Sequence, residues 1–406
     1  MYLRLLRRNR DFRLLYTGTL ISLGGDWFLT VALLDLVLQL TGSATLASLM
    51  LLCQTLPIFL VTPFAGHVVD KVDRRKLMIA VDLLRTGACL LPLLARSAAL
   101  LPFAYAGVIL ISIGSAYFEP AAQAALPNIV GAEELSAANV LMGSTWGTML
   151  AVGAGLGGLV TMTFGRDVSF LVDAASFLVS AFVLWRMRVP FSEQRKAGHE
   201  HPPLLESMRE TVRYARTHPR VLALLTSKGG YGLGAGVVAM LSVFGKEVFN
   251  AGAFGIGLLF AARGVGALLG PFVARAITRK DDLLYRMISF SVLLFGLGYA
   301  ALGLSRSLAV GAVAICLAHT GGGAQWQISS YGLQRETADA IRGRVFAADY
   351  GFVTLTMAIS SLLAGIASDR FGPVVATVGT ASVCVLWAIV WGAWTWKLWK
   401  GSGLVD

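Results

Sequence analysis

Twelve stretches of this chain stay apolar for about twenty residues or more. They run at roughly 14–40, 44–66, 77–95, 100–126, 137–162, 167–187, 221–245, 252–274, 284–304, 308–332, 345–366 and 373–396. About twenty apolar residues at 1.5 Å rise cross the ~30 Å hydrocarbon core of a bilayer. Inside that core every backbone N–H and C=O must bond within its own segment, so each run is predicted to be a helix. Of the 406 residues, 56% are hydrophobic and 14% charged, against about 25% charged in soluble domains. The chain reads as an all-α integral membrane protein of about twelve transmembrane helices.

The cations sort by side. The N-terminal arm carries Arg4, Arg7, Arg8, Arg10 and Arg13. With that arm inside, the inner segments hold roughly 25 of the 34 Lys and Arg residues. The outer loops hold about five: Arg96, Arg166, Lys246, Arg306 and Arg370. Positive charge marks the cytoplasmic side, which places both termini there, in a cell (inner) membrane. The same pattern accounts for the formal charge of +11 without a nucleic-acid partner, because the basic residues end apolar runs instead of covering one soluble face. Cys53, Cys89, Cys316 and Cys384 each lie singly inside apolar runs, so they read as packing residues, with no metal and no cofactor expected. The first apolar run continues to full spanning length, unlike a cleavable signal peptide. The chain has no Gly-x-x-x-x-Gly-Lys-Ser/Thr phosphate loop, which argues against a built-in ATP motor.

The longest polar segment falls in the middle and divides the chain into 1–190, a linker at 191–220, and 221–406. Within the linker Leu204, Leu205, Met208, Val212 and Ala215 recur at three and four with basic residues between, the pattern of a helix lying on the inner leaflet. The halves also repeat. Shifted by 204 residues, Gly66, Lys71, Arg75 and Lys76 fall on Gly270, Arg275, Arg279 and Lys280, Gln123 on Gln327, and Gly147 on Gly351. Two pseudo-symmetric six-helix bundles with a central cavity are expected.

Between the second and third runs stands a charged knot, Gly66-His67-Val68-Val69-Asp70-Lys71-Val72-Asp73-Arg74-Arg75-Lys76. It resembles the loop signature of the major facilitator superfamily, Gly-x-x-x-Asp-Arg/Lys-x-Gly-Arg-Arg-Lys/Arg, with Asp73 where the second glycine usually stands. The run Gly153-Ala154-Gly155-Leu156-Gly157-Gly158 resembles the antiporter signature Gly-Pro-x-x-Gly-Gly, with Ala154 replacing the proline. Further stretches are similar to the drug and siderophore exporters that include macrolide-efflux and enterobactin-export proteins. These are Glu119-Pro120-Ala121-Ala122, Glu133-Glu134-Leu135, Phe170-Leu171-Val172-Asp173-Ala174-Ala175-Ser176-Phe177, Arg216-Thr217-His218-Pro219 and Ile341-Arg342-Gly343-Arg344-Val345. Span four departs from the drug–proton antiporters in lacking their Arg-x-x-Gln-Gly pattern.

The resemblance implies the major facilitator fold and singles out four groups. The first is a cytoplasmic gate of Gly66, Asp70, Lys71, Arg74, Arg75 and Lys76 closing on Arg342 and Arg344, the alternative being a topology determinant alone. The second is the intramembrane charge set. An ionised side chain at bilayer depth costs at least ~2.5–3.5 kcal/mol and so needs a partner or water. Asp26 and Glu119, on cavity-lining spans of the superfamily, are the expected proton carriers, and Arg263, midway along span eight, completes the set; the alternative is Asp26 hydrogen-bonded structurally, or Arg263 neutralising an acid permanently. Asp82 and Arg85 read as a local pair, Asp35 and Asp173 as weaker candidates nearer the outer surface, and Lys228 as a snorkelling residue. The third is Gly153, Gly155, Gly157 and Gly158 as helix-packing glycines. The fourth is a substrate cavity of Phe118, Gln123, His319, Gln325, Trp326, Gln327 and Tyr331, which could equally be interhelical packing.

The function expected from topology and resemblance is secondary active export of a small, partly apolar molecule by alternating access, in exchange for protons, by a monomer in the lipid bilayer. A lysophospholipid or lipid transporter and a proton-coupled nutrient importer share the fold. A non-transporting membrane sensor and a membrane enzyme are the readings of different class. The sequence has no paired acidic motif, His cluster or activated nucleophile to support the enzyme.

Overall fold

In the computed structural model of the protein the described residues are 2–189, 191, 204–277, 281–337 and 339–398. They form fifteen α-helices: α1 Tyr2–Arg8, α2 Arg10–Thr41, α3 Ala44–Lys71, α4 Arg74–Ala88, α5 Leu101–Ile129, α6 Ala132–Phe164, α7 Arg166–Arg186, α8 Leu204–Thr217, α9 Pro219–Gly234, α10 Val237–Val243, α11 Gly252–Ile277, α12 Asp281–Leu304, α13 Leu308–Glu336, α14 Asp339–Phe371 and α15 Pro373–Thr395. Twelve helical segments among them are long and apolar enough to cross a membrane, and each coincides with one of the twelve apolar runs. The protein is a multi-pass membrane protein.

Local chemistry sets where the helices start and turn. Asn9 caps α2 by accepting from the Phe12 N–H at 2.9 Å, and Ser43 caps α3 by accepting from the Leu46 N–H at 3.2 Å. Each supplies an acceptor for a first-turn donor that has no partner inside the helix. Asp73, where the superfamily loop usually has glycine, caps α4 by accepting from the Lys76 N–H at 2.9 Å. The α6–α7 and α14–α15 hairpins both turn on a Phe-Gly pair, with Gly165 at φ +86° and Gly372 at φ +85°. A side chain is strained at those angles.

The described residues form two compact units. The first is Met1–Ala197 with Ser242–Ala261, and the second is Gly198–Leu241 with Ala262–Asp406. In the first, α2 packs on α6 and α7, α4 on α5 and α7, and α3 on α5. In the second, α12 packs on α13 and α15, and α9 on α13, α14 and α15. Side chains such as Phe64, Phe272 and Leu304 are about 70% exposed (71%, 70% and 71%), which suits contact with lipid and not with water.

Segment 242–261 joins the first unit through backbone contact. A Cβ on Gly158 would lie 2.7 Å from the Ala253 carbonyl and 2.8 Å from Gly257 Cα. A Cβ on Gly157 would lie 2.8 Å from Phe28 Cα, and one on Gly153 3.0 Å from the Gly24 carbonyl. Gly155 is looser, with Ala261 Cβ at 3.5 Å. Small residues here let α6 lie directly on α2 and on α11. The proline of the antiporter signature is absent, and α6 runs unbroken from Ala132 to Phe164.

Candidate functional site

The first unit holds a charged cluster at mid-span. Arg85, on α4, is 3% exposed and lies 3.4 Å from the Asp82 carboxylate. Its guanidinium sits over the rings of Phe118 and Phe177, at 4.9 and 5.0 Å from their centroids. Gly114 makes room, since a Cβ there would lie 2.9 Å from Arg85 Nε. Stacking on two aromatic faces stabilises a buried cation. Around it stand four carboxyl groups within its electrostatic reach: Asp26, Asp82, Glu119 and Asp173. One cation cannot balance four anions, and uncompensated charge at this depth is costly.

The four acids differ in access. Asp82 and Asp173 are fully buried. Asp26 is half-buried and Glu119 is exposed, and neither makes an ion pair or side-chain hydrogen bond among the described residues. Gln123, one turn after Glu119, is exposed as well. An ionised acid exposed at this depth is costly against hydrocarbon.

Asp173, seven residues into α7, is buried beside the same cluster. Its Oδ2 accepts from the Cys89 thiol at 3.1 Å, and the Ser176 hydroxyl is shared between its main-chain carbonyl at 2.8 Å and its Oδ1 at 3.2 Å. Gly25 lets it approach α2, because a Cβ at that position would lie 2.4 Å from Asp173 Oδ1. An apolar groove of about 440 Å³ opens beside it between α2, α6 and α7, lined by Gly24, Gly25, Phe28, Met149 and Ser176 among others.

The second unit holds a different arrangement. Lys228 does not snorkel: its ammonium pairs with Asp349, both side chains are nearly fully buried, and it also donates to Ser330 at 3.3 Å. The Trp326 ring lies 4.4 Å from its nitrogen. Lys228 stands nine residues past the start of α9, deeper than a four-carbon stem can climb out. Of the polar–aromatic residues on α13, His319 is buried and bonded to Tyr299 at 2.8 Å. Gln325 is buried and donates to Ser227 at 3.3 Å. Trp326 and Tyr331 are half-buried and Gln327 is exposed. Two of the five are thus bonded to neighbouring helices. Arg263, on α11, is 7% exposed and lies near Tyr231 and His319.

Near the knot, Arg74 donates to the main-chain carbonyls of Ala124 (2.9 Å) and Phe191 (3.2 Å). Arg75 donates to those of Leu184 (2.9 Å) and Trp185. The last carbonyls of α7 lack helical donors, and a cation there also meets the negative end of the helix dipole. Lys76 is exposed. The expectations on the side chains of Gly66, Asp70, Lys71 and Arg342 lie outside the described residues, and Arg344 is half-buried. At the opposite rim Arg96 donates to both oxygens of Asp167, at 3.0 and 2.8 Å, which raises its already high pKa.

Sequence reasoning missed Asp349 and the central role of Arg85. The signal for both was available: each is an ionisable residue well inside a spanning run. No group of three or more metal-ligating side chains occurs among the described residues.

The comparisons with known proteins agree with this architecture. A family described as transmembrane secretion effector matches residues 6–400. The chain is 22% identical to "Macrolide efflux protein A" of Streptococcus pyogenes over 366 residues, covering 89% of this chain and 90% of that one. It is 24% identical to "Putative bacilysin exporter BacE" of Bacillus subtilis (strain 168), covering 92% and 91%. Among solved structures, a bacterial homologue of the human lysosomal transporter Spinster superposes with a TM-score of 0.76 at 15% identity, covering 98% and 99%. The chain is thus a membrane transporter with the major facilitator fold and not an enzyme, and it belongs to the transmembrane secretion effector family.

Proposed function

We propose that this transporter exports a small, partly apolar molecule, of the drug or siderophore kind, in exchange for protons. The reading rests on one observation. Asp26 and Glu119, two mid-span acids on accessible faces, share a single buried arginine with two further acids. Such a site can take up and release protons as its access changes, because Arg85 cannot hold all four carboxylates charged at once. The names of the relatives, a macrolide efflux protein and a bacilysin exporter, support outward transport. Both termini are cytoplasmic in this reading, the membrane is the cell (inner) membrane, and the monomer is the working unit.

The energetics suffice. One proton crossing ~100 mV releases ~2.3 kcal/mol. At ~1.4 kcal/mol per tenfold, that sustains about a forty-fold gradient of a neutral solute.

The test is efflux of a macrolide from proteoliposomes driven by an imposed proton gradient. D26N and E119Q are expected to abolish proton-driven efflux while the protein still inserts and folds. If both variants transport as well as the parent, the acids are not the carriers and the coupling proposed here is wrong.

A further inference from the structure

We infer that Asp173 is the outer member of a proton path whose inner member is Asp26, held in place by Cys89, Ser176 and Gly25. This rests on the reading above, in which Asp26 carries a coupled proton and the start of α7 is extracellular. Asp173 lies seven residues into α7, about 10 Å below its outer end at 1.5 Å per residue. Asp26 lies near the middle of α2. The Asp173 carboxylate therefore stands between the outer rim and the mid-span acid.

Three features suit it to passing a proton rather than to holding two helices together. The groups that bond it are the neutral Cys89 thiol and the Ser176 hydroxyl, so its charge can change without breaking an ion pair. Asp82, by contrast, faces Arg85 at 3.4 Å. Cys89, moreover, follows the end of α4 next to the turn Leu91–Leu94, so the thiol bonded to Asp173 lies on the side of that rim. Gly25, finally, removes the side chain that would otherwise part α7 from α2. The carboxylate then rests against the backbone one residue before Asp26, and the two acids are within electrostatic reach of each other.

The charged and titratable groups around Asp173 are few. From α2 comes Asp26, which in turn lies in the field of Glu119 on α5, and from α4 come Cys89, Arg85 and Asp82, the last bonded to Ser180 of α7. The titratable residues of α6, Glu133 and Glu134, lie in its first turn, at the other end of the unit. When Asp26 gives up its proton to the inside, Asp173 is the adjacent carboxyl from which it is reloaded.

The experiment uses the full chain in proteoliposomes with a macrolide as probe and two readouts. One is efflux driven by a proton gradient, measured against outer pH. The other is macrolide counterflow with no proton gradient. D173N is expected to cut proton-driven efflux at least ten-fold and to flatten its dependence on outer pH, while counterflow stays within two-fold of the parent. D173E is expected to restore much of the pH response.

A residue that only held helices together would lower both activities in proportion, and that outcome overturns the proposal. So does a D173N protein with parental proton-driven efflux while D26N has none. If D26N itself retains proton-driven efflux, the failure belongs to the function proposed above and not to Asp173 alone. Should D173N fail to insert, the C89A/S176A double variant keeps the carboxylate and removes both donors. An unchanged outer-pH profile in that protein also overturns the proposal.

Discussion

The Lys246 ammonium is bound twice by Asp35: it donates to the carboxylate Oδ1 at 2.6 Å and to the main-chain carbonyl at 2.7 Å. Arg166 adds a second cation 3.7 Å from the other carboxylate oxygen. Lys246 sits in the π-helical turn Phe244–Val248 and Asp35 near the end of α2, so the pair fastens segment 242–261 to the first unit.

That pair is part-exposed, at 19% and 14% for the two side chains, so a moderate energy is expected. A double-mutant cycle with K246M and D35N should give a coupling of about 1 kcal/mol in thermal unfolding. D35N should cost more than K246M, because it leaves two cations facing each other with no acid between. A coupling of zero would show that the contact contributes nothing to the docking of the segment.

Lys228 and Asp349 should behave differently, since both are buried. D349N leaves an ammonium without its counter-charge and should destabilise the second unit by about 3–5 kcal/mol. The K228M/D349L double variant, which removes both charges, should recover most of that loss. Melting temperatures of the detergent-solubilised single and double variants decide it: a double variant as unstable as D349N contradicts a simple ion pair.

The glycines of α6 offer a graded test. G157A and G158A press a methyl group against backbone at 2.8 and 2.7 Å and should each cost about 1–3 kcal/mol. G155A meets only Ala261 Cβ at 3.5 Å, and G143A meets nothing within 4 Å. Those two should be neutral or stabilising, by up to about 1 kcal/mol, as a helical glycine is replaced. Equal melting temperatures across the four would show that the close approach of α6 is not tight.

Arg85 should not tolerate lysine. R85K keeps the charge but loses the planar group stacked on Phe118 and Phe177, and lysine is not a conservative replacement at a stacked site. Proton-driven efflux by R85K is expected to fall at least ten-fold in proteoliposomes. Parental activity in R85K would reduce the arginine to a point charge.

The number of spans, their approximate limits and the presence of charged residues inside them were all legible in the sequence. Each depends only on local composition along one segment, where a run of apolar residues has no alternative to a helix in lipid. Which charges meet was not legible. An apolar helix with protein on one side and hydrocarbon on the other carries no polar stripe to say which face turns inward. Arg85 could be read as the neighbour of Asp82, three residues away, but not as the centre of a cluster drawn from α2, α4, α5 and α7. Asp173 reaches the backbone next to Asp26 because Gly25 lets α7 lie on α2, and Lys228 found Asp349 across 121 residues. Contacts of that kind are fixed by how helices pack, so the folded chain alone decided them.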